Sequence, residues 1–229
     1  HQCGERDDRK VAQLGIGATR VVVMARGERD RSAAVELALA SLLPALGYEP
    51  TWAVRHDARG RPFLIAAPEQ PAPAISISHS GGVTAVAVGP PGPLGVDIEQ
   101  VRTMPAVTAL AHRRFTSGEQ SMLRQATDPT RAFLRIWTAK EAVAKSVGQG
   151  LRAALAVRTQ ATTQDSPRIL SHPGRRVTNW QVQLDPHSPH ADRQVIGAIA
   201  VPSLSTGVRR GRPQGGAASL QPGHRDAER

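Results

Sequence analysis

Two carboxylates on one predicted strand and one helix face carry the residue types that handle phosphate in this chain. Asp97 and Glu99 stand two apart in Leu94 to Glu99, a stretch that predicts a strand. Side chains at i and i+2 leave a strand on one face, so both acids point the same way, and Val96 and Ile98 turn to the opposite side, as a core requires. Two like charges side by side penalise each other's ionisation, and a bound cation removes that cost. By itself, Asp-x-Glu describes equally well a strand end showing two acids to water. The second group is Trp137-Thr138-Ala139-Lys140-Glu141-Ala142-Val143-Ala144-Lys145. At about 100° per residue, Lys140, Ala144, Trp137, Glu141 and Lys145 fall in order within an arc of roughly 140°. One helix face thus carries an acid flanked by two ammonium groups. The plain alternative is an exposed helix with an ordinary Glu141–Lys145 pair. Together the two segments offer three carboxylates and two lysines. Magnesium takes a few carboxylates plus phosphate oxygens and waters, and lysines beside it neutralise phosphate oxygens as charge builds on them. The set has the make-up of a phosphate-transfer site with a metal bridge.

The charge pattern points the same way. The chain of 229 residues has a net charge of +10, from 29 Lys and Arg against 19 Asp and Glu. This describes a solvated basic surface or an anionic partner. Lysine is used at only three positions, Lys10, Lys140 and Lys145, and two of these flank Glu141. An ammonium is a compact point charge, suited to a single phosphate oxygen and to proton transfer. The one cysteine, Cys3, excludes an intramolecular disulfide and makes a reducing cytoplasm the simplest setting. No apolar run is long enough for a membrane span, and His1 to Lys10 lacks the apolar centre of a secretory signal.

The elements that must position these groups read as strand, helix, strands, boundary, strand, helices, strands. Thr19 to Met24 is a β-branched strand, and Asp30 to Leu46 has helical spacing with Asp30 or Ser32 as N-cap. A short extended stretch, Tyr48 to Asp57, precedes the turn Gly60-Arg61-Pro62 and a strand at Phe63 to Ile65. Pro68 to Pro73 reads as a loop. Ile75 to Ser78 is a strand ended by His79-Ser80-Gly81-Gly82, and Val83 to Val88 is another. Gly89 to Pro93 is the strongest punctuation in the chain. Helices follow at Met104 to Arg114, Ser117 to Gln125 and Pro129 to Val147, the second opening on the capping-box pattern Thr116-x-x-Glu119. Gly148-Gln149-Gly150 ends the third. Val177 to Leu184 and Gln194 to Val201 form a hairpin around a polar loop. The expected organisation is an extension over 1–18, an αβ half over 19–93, a second αβ half over 94–202 with the metal site, and a disordered tail over 203–229.

In these motifs the sequence resembles the 4′-phosphopantetheinyl transferase superfamily, of the surfactin-synthetase-activating type. The resemblance rests on Gly60-Arg61-Pro62, Ile75-Ser76-Ile77-Ser78-His79-Ser80, Gly95-Val96-Asp97-Ile98-Glu99, Phe115 with Glu119, and the Trp137 to Lys145 segment with Gly148 and Gly150-Leu151. It covers roughly residues 20 to 202. It implies an α+β fold, a pseudo-dimer of two similar αβ halves in one chain, with the active site and coenzyme A in the cleft between them. Asp97, Glu99 and Glu141 would hold Mg²⁺ against the pyrophosphate. Lys140 and Lys145 would contact phosphates, Lys145 also helping the leaving group. Ser78 and His79 would touch coenzyme A phosphates, and Gly60-Arg61-Pro62 would line the adenosine end. Arg61 stands where the family often has Lys. The substrate serine of an acidic acyl or peptidyl carrier protein would attack the pantetheine-side phosphorus and release 3′,5′-ADP. The candidate base is Glu141 or a metal-bound water near Glu119. The cluster Arg26, Arg29 and Arg31 reads either as a grip on the 3′-phosphate or as a solvated helix start.

Two other classes compete. A metal-dependent nuclease also pairs acids with a lysine, but it usually sets that lysine two residues after an acid on one strand, and here that position is Val101. A nucleic-acid binder would fit the charge, yet seven aromatics, not interleaved with the basic residues, make few stacking platforms. Neither nucleic acid nor a membrane is expected as a partner.

Overall fold

The computed structural model describes residues 11–25, 30–49, 52–65, 71–160, 167–184 and 194–203. Its strands are β1 (Val11–Ile16), β2 (Thr19–Ala25), β3 (Ala53–His56), β4 (Pro62–Ile65), β5 (Ala74–Ser80), β6 (Val83–Gly89), β7 (Gly95–Gln100), β8 (Thr159–Gln160), β9 (Arg168–Ile169), β10 (Arg175–Gln183) and β11 (Gln194–Pro202). Its helices are α1 (Arg31–Ala45), α2 (Val107–Arg114), α3 (Ser117–Gln125), α4 (Pro129–Ser146) and α5 (Gly150–Ala156). The strands form a four-stranded antiparallel sheet, β1-β2-β6-β5, and a three-stranded one, β10-β11-β7, with β3-β4 and β8-β9 as separate pairs. The class is mixed α and β with antiparallel sheets.

Alternation in the strands builds the layers. In β2 and β6, Val21, Val23, Val83, Ala85 and Ala87 meet Val96, Ile98, Val195 and Ile199 of the second sheet in one shared core. Their neighbours Val22, Met24, Val86 and Val88 face the other way, onto Ala38, Leu39, Leu42 and Leu43 of α1. On the outer face of the second sheet, Ala198 and Ala200 pack against Ala139, Ala142 and Val143 of α4. The Gly89 to Pro93 punctuation therefore separates the two sheets in sequence, while their core is continuous.

Several expectations shift in detail. Val11–Ile16, assigned to an extension, is a strand paired along its length with β2. Strand β5 runs on through His79 and Ser80, and the turn falls at Gly81 and Gly82, both with positive φ. Gly148 takes positive φ after α4, but Gly150 opens α5 rather than completing a terminator. The capping box at Thr116 and Glu119 is present, and Asp128 caps α4 by accepting from the Arg131 N–H at 3.0 Å, followed by Pro129 at the first turn. Arg26, Arg29, residues 66–70 of the loop after β4, the loop between β10 and β11, and the tail beyond Ser203 lie outside the described residues. No described helix is long and apolar enough to cross a membrane.

One glycine brings the site helix onto the site strand. A Cβ at Gly95 would run into the Ala142 carbonyl and the Ser146 N–H of α4. Gly95→Ala must therefore push α4 off β7. It is expected to cost about 1–3 kcal/mol, as overpacking does, read as a lowered urea midpoint with an unchanged m-value.

Candidate active site

Strand β7 lies at the edge of its sheet, so the N–H groups on its free side need acceptors from elsewhere. Strand β5 supplies them from side chains. Ser76 Oγ accepts from Val96 N at 2.9 Å, Ser78 Oγ from Ile98 N at 3.3 Å and Ser80 Oγ from Gln100 N at 3.1 Å. The constant offset of 20 residues means the two strands run parallel. Two of these serines also donate into the acids of β7: Ser78 Oγ to Asp97 Oδ1 and Ser80 Oγ to Glu99 Oε2, both at 2.8 Å.

Helix α4 approaches from the other side. Lys145 Nζ donates to Asp97 Oδ1 at 2.8 Å and reaches the Ile77 carbonyl at 3.4 Å, tying α4 to both strands. Asp97, Glu99, Glu141, Lys145, Trp137 and His79 line one cavity of about 490 Å³, and Arg31, Ile77 and Ser78 share its wall. Two larger cavities adjoin it. One, of about 520 Å³, has Arg61, Pro62, Leu94, Lys145 and Gly148 on its wall. The other, of about 760 Å³, is bounded by Arg31, Trp52, His56, Pro62 and His79.

Electrostatically the site is short of positive charge. Asp97 is buried, and its Oδ2 has no hydrogen-bond partner. Burial pushes its carboxyl above the ordinary aspartate range against the pull of Lys145 and Ser78. Glu99 is raised by burial and by repulsion from Asp97, with Ser80 opposing. Glu141 is pushed up to about 7 by burial and then by Asp97 and Glu99, with Lys145 and Arg114 opposing. His79 is held below the ordinary histidine range by burial and by the Arg31 and Lys145 cations. Its Nδ1 is 2.9 Å from Thr84 Oγ1. Among the described residues no three His, Cys, Asp or Glu side chains are drawn together as a ready-made metal cage. The donor chemistry nevertheless fits a hard divalent cation: Asp97, with one buried carboxylate oxygen lacking a partner, lines the same cavity as two further carboxylates whose ionisation is suppressed by burial and by neighbouring acids.

Lys140 and Glu119 are placed elsewhere. Lys140 is fully buried, with Nζ 2.9 and 3.1 Å from the two oxygens of Glu119 and 5.3 Å from the centre of the Phe115 ring. Glu119, equally buried, also accepts from Thr116 N, Thr159 N and Thr159 Oγ1, each at 2.9 Å. Burial alone would raise its pKa, but the bonds from Lys140, Thr116 and Thr159 outweigh this and hold it low. The pair joins α3, α4 and β8; it does not converge with Lys145 on the carboxylates. Sequence reasoning also missed Ser80 and Arg114. The guanidinium of Arg114 lies 4.9 Å over the Trp137 ring, which stacks on Phe133, itself stacked on Phe115. The alternation Ser76, Ser78, Ser80 was the available signal for the first, and Arg114 gave none.

Comparison with known proteins bears on this geometry. Residues 93–199, which carry β7, α4 and the carboxylates, match the model of the 4′-phosphopantetheinyl transferase superfamily. The chain is similar to the 4′-phosphopantetheinyl transferase HetI of a Nostoc species, 29% identical over 68% of this chain and 63% of HetI. It is also similar to the 4′-phosphopantetheinyl transferase psf-1 of Bacillus pumilus, 34% identical over 43% of this chain and 42% of psf-1. With the 4′-phosphopantetheinyl transferase AcpT of Salmonella typhi it is 39% identical over 32% of this chain and 40% of AcpT. The chain thus covers less than two thirds of the length of these relatives.

Two outcomes follow from the electrostatics. Removing one member of a buried ion pair leaves an uncompensated charge, at a cost of about 3–5 kcal/mol. Lys140→Met should lose that much in chemical denaturation, and the double variant E119Q/K140M, which removes both charges and keeps one of the two acceptor oxygens, should recover part of it. Additive losses would mean that the two groups are not coupled. Glu141, in turn, keeps its proton in the folded chain up to about 7 but loses it near 4.5 when unfolded. Between those values the folded state binds more protons, so this group's contribution to stability falls as pH rises. If Glu141 ligates Mg²⁺ it must do so ionised, so Mg²⁺ is then expected to raise the Tm more at about pH 8 than at about pH 5; equal shifts would count against that role.

Proposed function

We propose that this chain transfers the 4′-phosphopantetheine group of coenzyme A to a serine of an acyl or peptidyl carrier protein, with Mg²⁺. The observation that carries the reading is Asp97, buried with its Oδ2 lacking a partner, in the wall of a cavity also lined by Glu99, Glu141 and Lys145. Asp97, Glu99 and Glu141 would hold the metal, which when bound would offset charge on the pyrophosphate oxygens and align them for displacement.

The protein's own groups have separable tasks. Lys145, at the junction of two cavities, would contact a phosphate and neutralise the leaving 3′,5′-ADP. Ser78 and His79 would line the phosphate path, with Arg31 at the 3′-phosphate, since Arg31 and His79 bound the same cavities. Arg61 and Pro62 would border the adenosine end. The carrier serine oxygen would form its bond to the pantetheine-side phosphorus while the bond from that phosphorus to the bridging oxygen breaks. Glu119, saturated by hydrogen bonds, is a poor proton acceptor, so Glu141 is the better-supported base. Lys140 then acts on the reaction through the packing of α4 rather than at a phosphate. The reading as two similar αβ halves in one chain is supported by two antiparallel sheets, each covered on its outer face by a helix. The exposed Arg102 and Arg113 suit an acidic carrier.

The test mixes the protein with apo carrier protein, coenzyme A and Mg²⁺ and weighs the carrier. A gain of one phosphopantetheine is expected, and Asp97→Ala and Glu141→Ala should each abolish it while the circular dichroism spectrum is retained. Full transfer by either variant would remove the basis of the proposal.

A further inference from the structure

The three serines of β5 do the same work for the backbone but not for the acids. Each takes one free N–H of β7, so each helps to hold the two strands in register. Only Ser78 and Ser80 also donate a hydroxyl proton to a carboxylate. Ser78 stands among the groups read as lining the phosphate path, so its two tasks cannot be separated by substitution. Ser80 does not line the carboxylate cavity, and its hydroxyl has both of its partners in β7, Gln100 N and Glu99 Oε2. A hydroxyl that accepts from a fixed backbone N–H has fewer directions left for its single proton, because one lone pair is taken. The N–H of Gln100 thereby favours the Ser80 proton toward Oε2 of Glu99, a residue that lines the cavity.

We infer that Ser80 is a positioning residue that fixes the rotamer of Glu99 for a divalent cation, and that Ser76 is its purely structural counterpart. This rests on the reading of Asp97, Glu99 and Glu141 as metal donors. Outer hydrogen bonds of this kind orient ligating carboxylates, and their loss typically weakens metal binding about 10- to 100-fold.

The experiment compares Ser80→Ala, Ser80→Thr and Ser76→Ala by thermal unfolding against MgCl₂ alone, without coenzyme A, because Ser76 borders the neighbouring cavity. Both alanine variants lose one acceptor for β7 and should be destabilised without metal. Only Ser80→Ala should also shift the Mg²⁺ concentration for the half-maximal Tm rise, by about 10-fold or more, and Ser80→Thr, which keeps the hydroxyl, should restore it. If the wild type responds to Mg²⁺ but Ser80→Ala and Ser76→Ala have the same Mg²⁺ midpoint, the positioning role is overturned and the site reading stands. If the wild type shows no response to Mg²⁺, the site reading fails and the positioning role fails with it.

Discussion

The arrangement of this molecule depends on an edge strand whose free N–H groups are satisfied by side chains. Had β5 met β7 through its backbone, the two sheets would have merged edge to edge, about 4.8 Å apart, into one surface. Serine hydroxyls reach farther than carbonyls from the same backbone. They let β7 lie across the face of β5, with the two sheets packed over one core. Both strands have a side-chain period of two, so a serine at every second residue meets every outward N–H of β7. That same parity sends Val96 and Ile98 into the core and Asp97 and Glu99 out of it. Register and chemistry are thus set by one alternation. A slip of one residue would bury the acids among the valines and expose the core residues to water.

Helix geometry explains why the two lysines of α4 part company. Five residues at about 100° each leave their side chains roughly 140° apart, at opposite ends of the arc that the sequence reading treated as one face. Glu141 lies about 40° from Lys145 and about 100° from Lys140 on the same wheel. Glu141, Trp137 and Lys145 can therefore share a cavity while Lys140 turns into the junction of α3, α4 and β8. There a charge is tolerated because Glu119 supplies the counter-charge and Thr116 and Thr159 satisfy what remains of that carboxylate. Lysine is an understandable choice at both ends of the arc, since one must span to a buried carboxylate and the other to a cavity, and both tasks need a long stem with a compact head.

Legibility in the sequence followed the range of the interactions. The strands β2, β6 and β7 and the helices α1, α3 and α4 were readable because alternation, helical spacing and the Thr116 capping box are local. Strand β1 was missed: Val11–Ile16 has weak apolar alternation and is held by β2, a tertiary pairing. The extension of β5 through His79 and Ser80 was hidden by the following glycines, which mark the turn but not its first residue. In the site, Asp97, Glu99, Glu141 and Lys145 were legible as types and spacings, and they line one cavity. What stayed invisible was direction. Nothing local in Lys140 says that its partner stands 21 residues upstream, and nothing in Arg114 says that it will lie on Trp137.

The charge balance of the cavity argues for what is left incomplete there. Three carboxylates share a cavity wall with one ammonium, and that ammonium donates to one oxygen of Asp97 and to the Ile77 carbonyl. A second lysine in contact would complete the balance, but it would also fill the space and the electrostatic demand that a divalent ion could meet. Arg114 bears on Glu141 from its perch on Trp137, lowering the cost of ionisation without an ion pair. The result is a carboxylate that titrates at about 7 rather than near 4.5. On the proposed reading, Asp97, Glu99 and Glu141 would hold the cation, and Lys145, which lines both this cavity and its neighbour, would contact a phosphate.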